Sequence, residues 1–231
     1  RLSLVGSEMC IRDRKIDTFL NGMVDASKTP IFQECIAVLK EFFPGEADYI
    51  DTITPHVSGS VTVSPLHGCP PDEIERIASY LIEKKHLHTF VKCNPTILGY
   101  ETARRTLDAM GYDYIVFDQH HFNEDLQWAD AVPMFQRLQK LADSCGLEFG
   151  LKLSNTFPVD VKAGELPSEE MYMAGKSLFP LTTTMAARLS REFGGKLRRG
   201  MNARRVQKFQ KGHGYRLLRR TTLQYDRSGR R

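Results

Sequence analysis

Cysteine is sparse in this sequence and shows no pattern. Cys10, Cys35, Cys69, Cys93 and Cys145 are scattered and odd in number. No CxxC pair occurs, so neither a zinc ribbon nor a local iron–sulfur motif is encoded, and reduced thiols are expected. No apolar run approaches the length of a membrane span. GxGxxG is absent, which argues against a Rossmann dinucleotide turn. The opening RLSLVGSEMCIRDR has no apolar stretch of the secretory kind, so a cytoplasmic location is expected. Trp128 is the single tryptophan, and helix packing is its expected role.

What is present is an ordinary globular composition, 41% apolar and 26% charged over 231 residues, enough for one good core. The net charge of +4 hides an uneven distribution. Residues 196–231 hold thirteen of the 32 Lys and Arg and one acid, Asp226, for a net +12. The remaining residues carry a net −8. The body therefore reads as an acidic domain with a basic end. Two readings fit that end. Clustered Arg with interleaved Tyr, Phe and His suits nucleic-acid binding. Alternatively, the abrupt shift at Arg198 and the loss of apolar periodicity suit a frameshifted, disordered tail over 198–231, and this second reading is preferred. At the other end, SLVGSEMCIRDR resembles a translated sequencing adapter, so residues 1–14 are set aside from fold reasoning.

Between these ends, residues 15–197 alternate strand and helix. Helices are predicted over 15–26 and 31–43, then a strand over 60–64. A helix over 71–85 has Asp72, Glu73 and Glu75 in its first turn, where they complement the dipole, and Ile74, Ile77, Ala78, Leu81 and Ile82 on one face. Strands follow over 89–93, 114–117 and 148–153, with helices over 100–110, 124–144 (Pro133 a kink candidate) and 173–191. Short apolar strands alternating with helices predict a parallel sheet covered by helices, and here a partial (β/α)8 TIM barrel.

Barrel chemistry sits at the C-terminal strand ends. That rule selects Ser64–Cys69, Lys92–Pro95, Asp118–Phe122 and Lys152–Thr156. Two of these carry a lysine inside a strand, in FVKCNP and GLKLSNT. A strand lysine is costly to bury unless something binds it, so flavin, phosphate or Schiff-base roles are weighed against a lysine reaching the rim.

At the same strand ends, VTVSPLHGCPP, TFVKCNPTILGY, FGLKLSNTFPV and GELPSEEMYMAGKSLFPL resemble the N-terminal barrel of the selenate-reductase-like (YgfK-type) iron–sulfur flavoproteins. That barrel is in turn similar to the FMN barrel of dihydroorotate and dihydropyrimidine dehydrogenases. The resemblance covers about 15–197 and implies an oxidoreductase parent, of which this chain is a fragment inactive alone. It implies FMN in the barrel, with FAD and iron–sulfur clusters in parts of the parent outside this chain. It implies a small-molecule substrate and electron-transfer modules or subunits as partners. The dehydrogenase strand that supplies the catalytic base matches VTVSPLHG, which makes Ser64, His67 and Cys69 catalytic candidates, with Pro65 at the usual cysteine position. The flavin-facing lysine strand matches VKCNP, which places Lys92 and Asn94 on the cofactor, with Lys152 as the alternative. LSNT places Asn155 and Thr156 on the substrate. The family continues after GGKL with a strand and Gly-Gly turn for the flavin phosphate; RRGMNARR stands there instead, so the barrel is expected to lack its closing strands.

No metal site is expected, because no carboxylate or histidine lies at a ligand spacing from His120-His121. His86 and His88 are expected only to complement a helix end. Cys93 and Cys145 are expected to be small buried apolar residues. Two other functions stand beside the oxidoreductase. One is an aldolase-type barrel using Lys92 or Lys152 as a Schiff-base nucleophile, and the other is nucleic-acid binding through the tail.

Overall fold

A computed structural model describes residues 2–4, 11–65, 68–164 and 166–195. The strand order begins with β1 (Leu2–Leu4), followed by helices α1 (Arg14–Val24), α2 (Pro30–Phe42) and α3 (Ala47–Asp51). β2 (Ser60–Val63), α4 (Pro71–Glu83), β3 (His88–Cys93) and α5 (Tyr100–Ala109) come next. Then follow α6 (His120–Asn123), α7 (Trp128–Ser144), β4 (Phe149–Leu153), β5 (Phe157–Asp160), β6 (Glu170–Met173) and α8 (Phe179–Glu192). The described chain groups into one compact unit through Arg188 and a second from Leu189. Of the second, residues 189–195 are described: the last turn of α8 and its glycine end, where the Gly195 amide donates to the Ser190 carbonyl at 2.7 Å. The basic segment 198–231 and His67 lie outside the described residues.

Local signals account for the helix starts. Asp13 caps α1 by accepting from the Lys15 amide at 2.7 Å. Thr29 caps α2, with Pro30 in its first turn. Pro71 opens α4, followed by Asp72 and Glu73 at the positive end of the helix. All five residues of the expected α4 face are buried. The three Ile and Leu81 each contribute about 1.5–3 kcal/mol relative to exposure, and Ala78 less. Pro133 sits inside α7 without ending it.

Four strands form one parallel sheet in the order β1-β2-β3-β4. Among the described residues this sheet does not close into a barrel. Segment 1–14, set aside for its resemblance to a sequencing adapter, supplies β1, the α1 cap and buried Ile11. α4 packs against β2, β3 and α7, and α7 against β4. Phe135 of α7 lies 6.2 Å from Phe149 of β4, ring to ring. Phe149 pairs with Thr89 in register, so Thr89, Val91 and Cys93 share that helix-covered face and are buried. Phe90, Lys92, Gly150 and Lys152 occupy the opposite face.

Two expectations fail. Residues 114–117 form no strand. The Arg104 guanidinium donates to the carbonyls of Ile115 (2.6 Å) and Tyr112 (2.9 Å) and lies 4.7 Å from the Phe117 ring. Within the segment, Arg104 takes the Ile115 carbonyl, the Ile115 amide donates to Tyr112, and the Val116 carbonyl accepts a single bond from Asp160. The segment read as a loop before the last helix is instead an antiparallel hairpin, β5 with β6, and α8 starts at Phe179 rather than residue 173.

Phe90 also fixes the neighbouring strand. A Cβ built on Gly150 would lie 2.6 and 2.7 Å from two Phe90 ring carbons, so the ring occupies the space of a side chain. Gly150→Ala should cost about 1–3 kcal/mol by overpacking. Chemical denaturation of G150A against G150A in a Phe90→Leu background checks this, since the smaller side chain should remove most of the loss.

Candidate functional site

The β3–β4 register sets Lys92 beside Lys152. Strand neighbours in register lie about 5 Å apart at Cα, and like charges placed so repel. Among the described residues neither amine has a hydrogen-bond or ion-pair partner. Lys152 is exposed and Lys92 is half-buried. Burial first, and the Lys152 charge second, hold the Lys92 amine below its ordinary value of 10.5. A cationic pair without counter-charge on the face away from the helices suits an anionic or electron-rich ligand.

Ser64 lies one residue beyond β2, level with Lys92 by extension of the Val63–Val91 pair, and only 4% of it is exposed. The chain then turns through Gly68 at φ 76°, in the region where glycine is unstrained, and reaches Cys69 just before α4. Cys69, Lys92, Asn94, Thr96 and Asp125 line a crevice of about 20 Å³ at the strand ends. That space suits one water.

Asp125, buried at 8% exposure, organises the loop after β3. It accepts from Thr96 Oγ1 at 2.6 Å and Asn94 Nδ2 at 3.2 Å. Gln127 ties the same turn by donating to the Asp125 carbonyl at 2.7 Å. The Asn155 amide continues the β3–β4 ladder past the strand ends, donating to the Cys93 carbonyl at 3.1 Å. Thr156 follows, half-buried, ahead of β5. The candidates thus divide into a group around Lys92 (Ser64, Cys69, Asn94 and Lys152) and a pair at the end of β4.

The two thiols near Lys92 differ from reactive cysteines. Full burial pushes Cys93 up to about 12. A helix N-terminus ordinarily lowers a cysteine pKa. At Cys69 burial raises it instead, with Glu73 and then Asp72 adding to the rise. Burial first, and then the acids of the first α4 turn, therefore disfavour the Cys69 thiolate and leave a neutral thiol, suited to give a proton rather than to attack.

Other expected roles change. His88 is the first residue of β3, and its Nδ1 accepts from the Glu148 amide at 2.9 Å. It therefore holds β4 rather than a helix end. Cys145 is only half-buried, at the end of α7. Trp128 packs at the start of α7 beneath the Arg188 guanidinium, 3.9 Å from the ring centroid, and Arg188 also donates to the Leu98 carbonyl.

Sequence reading missed Asp125. Beside Glu124 in FNEDLQW it looks like one of two solvated acids. It also found no carboxylate for His120-His121; the unforeseen hairpin brings Glu170 to them.

Glu73→Gln should bring the Cys69 pKa down and speed its alkylation at neutral pH. Mass-mapped iodoacetamide labelling checks this, with exposed Cys35 as the internal reference and buried Cys93 expected to stay unlabelled until unfolding.

A family model described as oxidoreductase YgfK, N-terminal TIM-barrel domain, matches residues 4–208. The protein YgfK of Escherichia coli strain K12 is 40% identical over 202 residues, covering 81% of this chain and 20% of that protein. YgfK of Escherichia coli O157:H7 gives the same figures. The chain spans about a fifth of the length of these curated relatives. No solved structure matches.

Proposed function

The chain belongs to the family of the YgfK N-terminal TIM-barrel domain, and from that premise we propose that it is the flavin-facing barrel segment of an iron–sulfur flavoprotein oxidoreductase of the selenate reductase type. The observation that carries this reading is the in-register pair Lys92–Lys152, without a counter-charge among the described residues. The residues present fit FMN in one respect: two adjacent cations on the open face match a ligand that is anionic and gains electron density on reduction. Bound FMN would supply hydride or electron exchange with a small oxidised substrate. Lys92 and Lys152 would hold it, and its charge would relieve their repulsion. Asp125 keeps Asn94 and the loop after β3 in place beside Lys92. Cys69, neutral at physiological pH, would hold a proton at Sγ for the substrate, with Ser64 as its neighbour after β2 and His67 two positions before it in the sequence. Asn155 and Thr156, at the end of the adjacent strand, would orient the substrate. FAD and iron–sulfur clusters belong, on this reading, to the rest of the longer relatives, and electrons would pass between those modules and the barrel.

A second reading rests on the lowered Lys92 pKa. A partly desolvated lysine beside another cation is the usual form of a Schiff-base nucleophile. The nucleic-acid reading rests on residues 198–231, outside the described part.

FMN fluorescence quenching by the full chain separates the first two readings. FMN should bind, and Lys92→Met and Lys152→Met should each weaken it by about tenfold, ~1.4 kcal/mol. Absent binding, or binding indifferent to both substitutions, would overturn the flavin reading. A borohydride-trapped pyruvate adduct on Lys92 without flavin binding would establish the Schiff-base alternative.

A further inference from the structure

We propose that His120, His121 and Glu170, with Asp160 facing His121, form a site for a divalent transition metal of the zinc class, which pins α6 to the β5–β6 hairpin. The site is separate from the lysine pair and does not rest on the flavin reading.

The first observation is an orphaned imidazole nitrogen. Only 9% of the His121 side chain is exposed, and its Nε2 is buried without a hydrogen-bond partner. Leaving such a group unsatisfied destabilises the fold. Two carboxylates face it, Glu170 Oε1 at 3.5 Å and Asp160 Oδ1 at 3.6 Å. A charge-assisted hydrogen bond would bring these atoms to roughly 2.7–2.9 Å. The observed gaps are too wide for a shared proton. They are close to the separation of about 3.3–3.5 Å between two ligand atoms on a tetrahedral zinc with bonds of about 2.0–2.1 Å.

The second observation is His120. Its Nε2 lies 3.7 Å from the same Glu170 oxygen, and the two imidazole centroids are 3.8 Å apart. One ligand atom from each of His120, His121 and Glu170 lies within 4.8 Å of the others. Asp118 orients His120 from behind: its Oδ1 accepts from the His120 amide at 3.0 Å and lies 3.3 Å from His120 Nδ1. A carboxylate behind the non-ligating nitrogen is the usual arrangement around a metal-bound histidine, because it fixes the tautomer that leaves Nε2 to the ion.

The fold supplies a reason for such a tie. A two-stranded hairpin is marginal alone. One backbone bond joins β5 to the preceding loop, the Asp160 amide donating to the Val116 carbonyl at 2.9 Å. Phe117, Phe122 and Phe157 pack beside it with centroids 5.0–5.8 Å apart. Those rings hold Phe122, next to His121, against β5, which carries Asp160. Lys162 faces the other Asp160 oxygen at 3.5 Å and leaves Oδ1 toward His121. Two imidazole nitrogens with carboxylate oxygens are a borderline-to-hard donor set, suited to Zn2+, Co2+ or Fe2+ rather than Cu+.

Titration of the chelator-treated 231-residue chain with Co2+ is the test, read by visible absorption, with Zn2+ as competitor and metal content per chain measured directly. One ion per chain should bind and raise the Tm. His121→Ala and Glu170→Gln should each weaken binding at least tenfold, whereas His56→Gln, remote from the site, should leave it unchanged. Glu170 is exposed, so E170Q keeps the test valid if H121A does not fold. No stoichiometric binding to the folded chain, or binding that survives in both E170Q and H121A, would overturn the proposal.

Discussion

The register between β3 and β4 sets Phe90 beside Gly150 and, two residues further along, Lys92 beside Lys152. Parallel pairing allows no local adjustment of this arrangement, because a slip of one residue would turn every side chain to the other face. That slip would bring Val91 and Cys93 out from under α4 and α7 and bury Lys92 in their place. Helix burial on one face therefore enforces the cation pair on the other. The glycine at 150, which leaves room for the Phe90 ring, belongs to the same constraint.

Charge placement then decides what the strand ends can do. Asp72 and Glu73 sit where a helix start favours acids, and that choice raises the nearest thiol instead of activating it. Lys92 is shifted the other way, toward neutrality, by partial burial and by Lys152. The neighbourhood thus offers a neutral thiol, a lysine whose amine lies below its ordinary value, and a second, solvated cation. Such a set suits binding of an electron-rich ring and delivery of a proton better than it suits covalent attack by sulfur.

Much of the scaffold was legible in the sequence. Pro71 with Asp72 and Glu73 fixed the start of α4, and its five apolar positions are the buried ones. The β3 and β4 strands and their lysines were recognisable from apolar runs broken by polar strand ends. What could not be read were features made by distant contacts. Residues 114–117 have a strand's composition, yet Arg104 takes the Ile115 carbonyl. Pro158 and the long polar link before Glu170 disguised a hairpin as a loop. Asp125 is indistinguishable in sequence from its solvated neighbour, and the approach of Glu170 to His121 depends on that unforeseen hairpin. Chemical type was visible at single positions; partnership across the fold was not.

The central claim is that Lys92 is a perturbed, ligand-facing cation beside Lys152. NMR titration of 13Cε-labelled lysines, with resonances assigned by Lys92→Met and Lys152→Met, measures this directly. The account expects Lys92 to titrate below the ordinary 10.5 in the free chain and to move upward when FMN is added, because an electron-rich partner favours the charged amine. A Lys92 resonance that titrates like an exposed lysine and ignores FMN would contradict it.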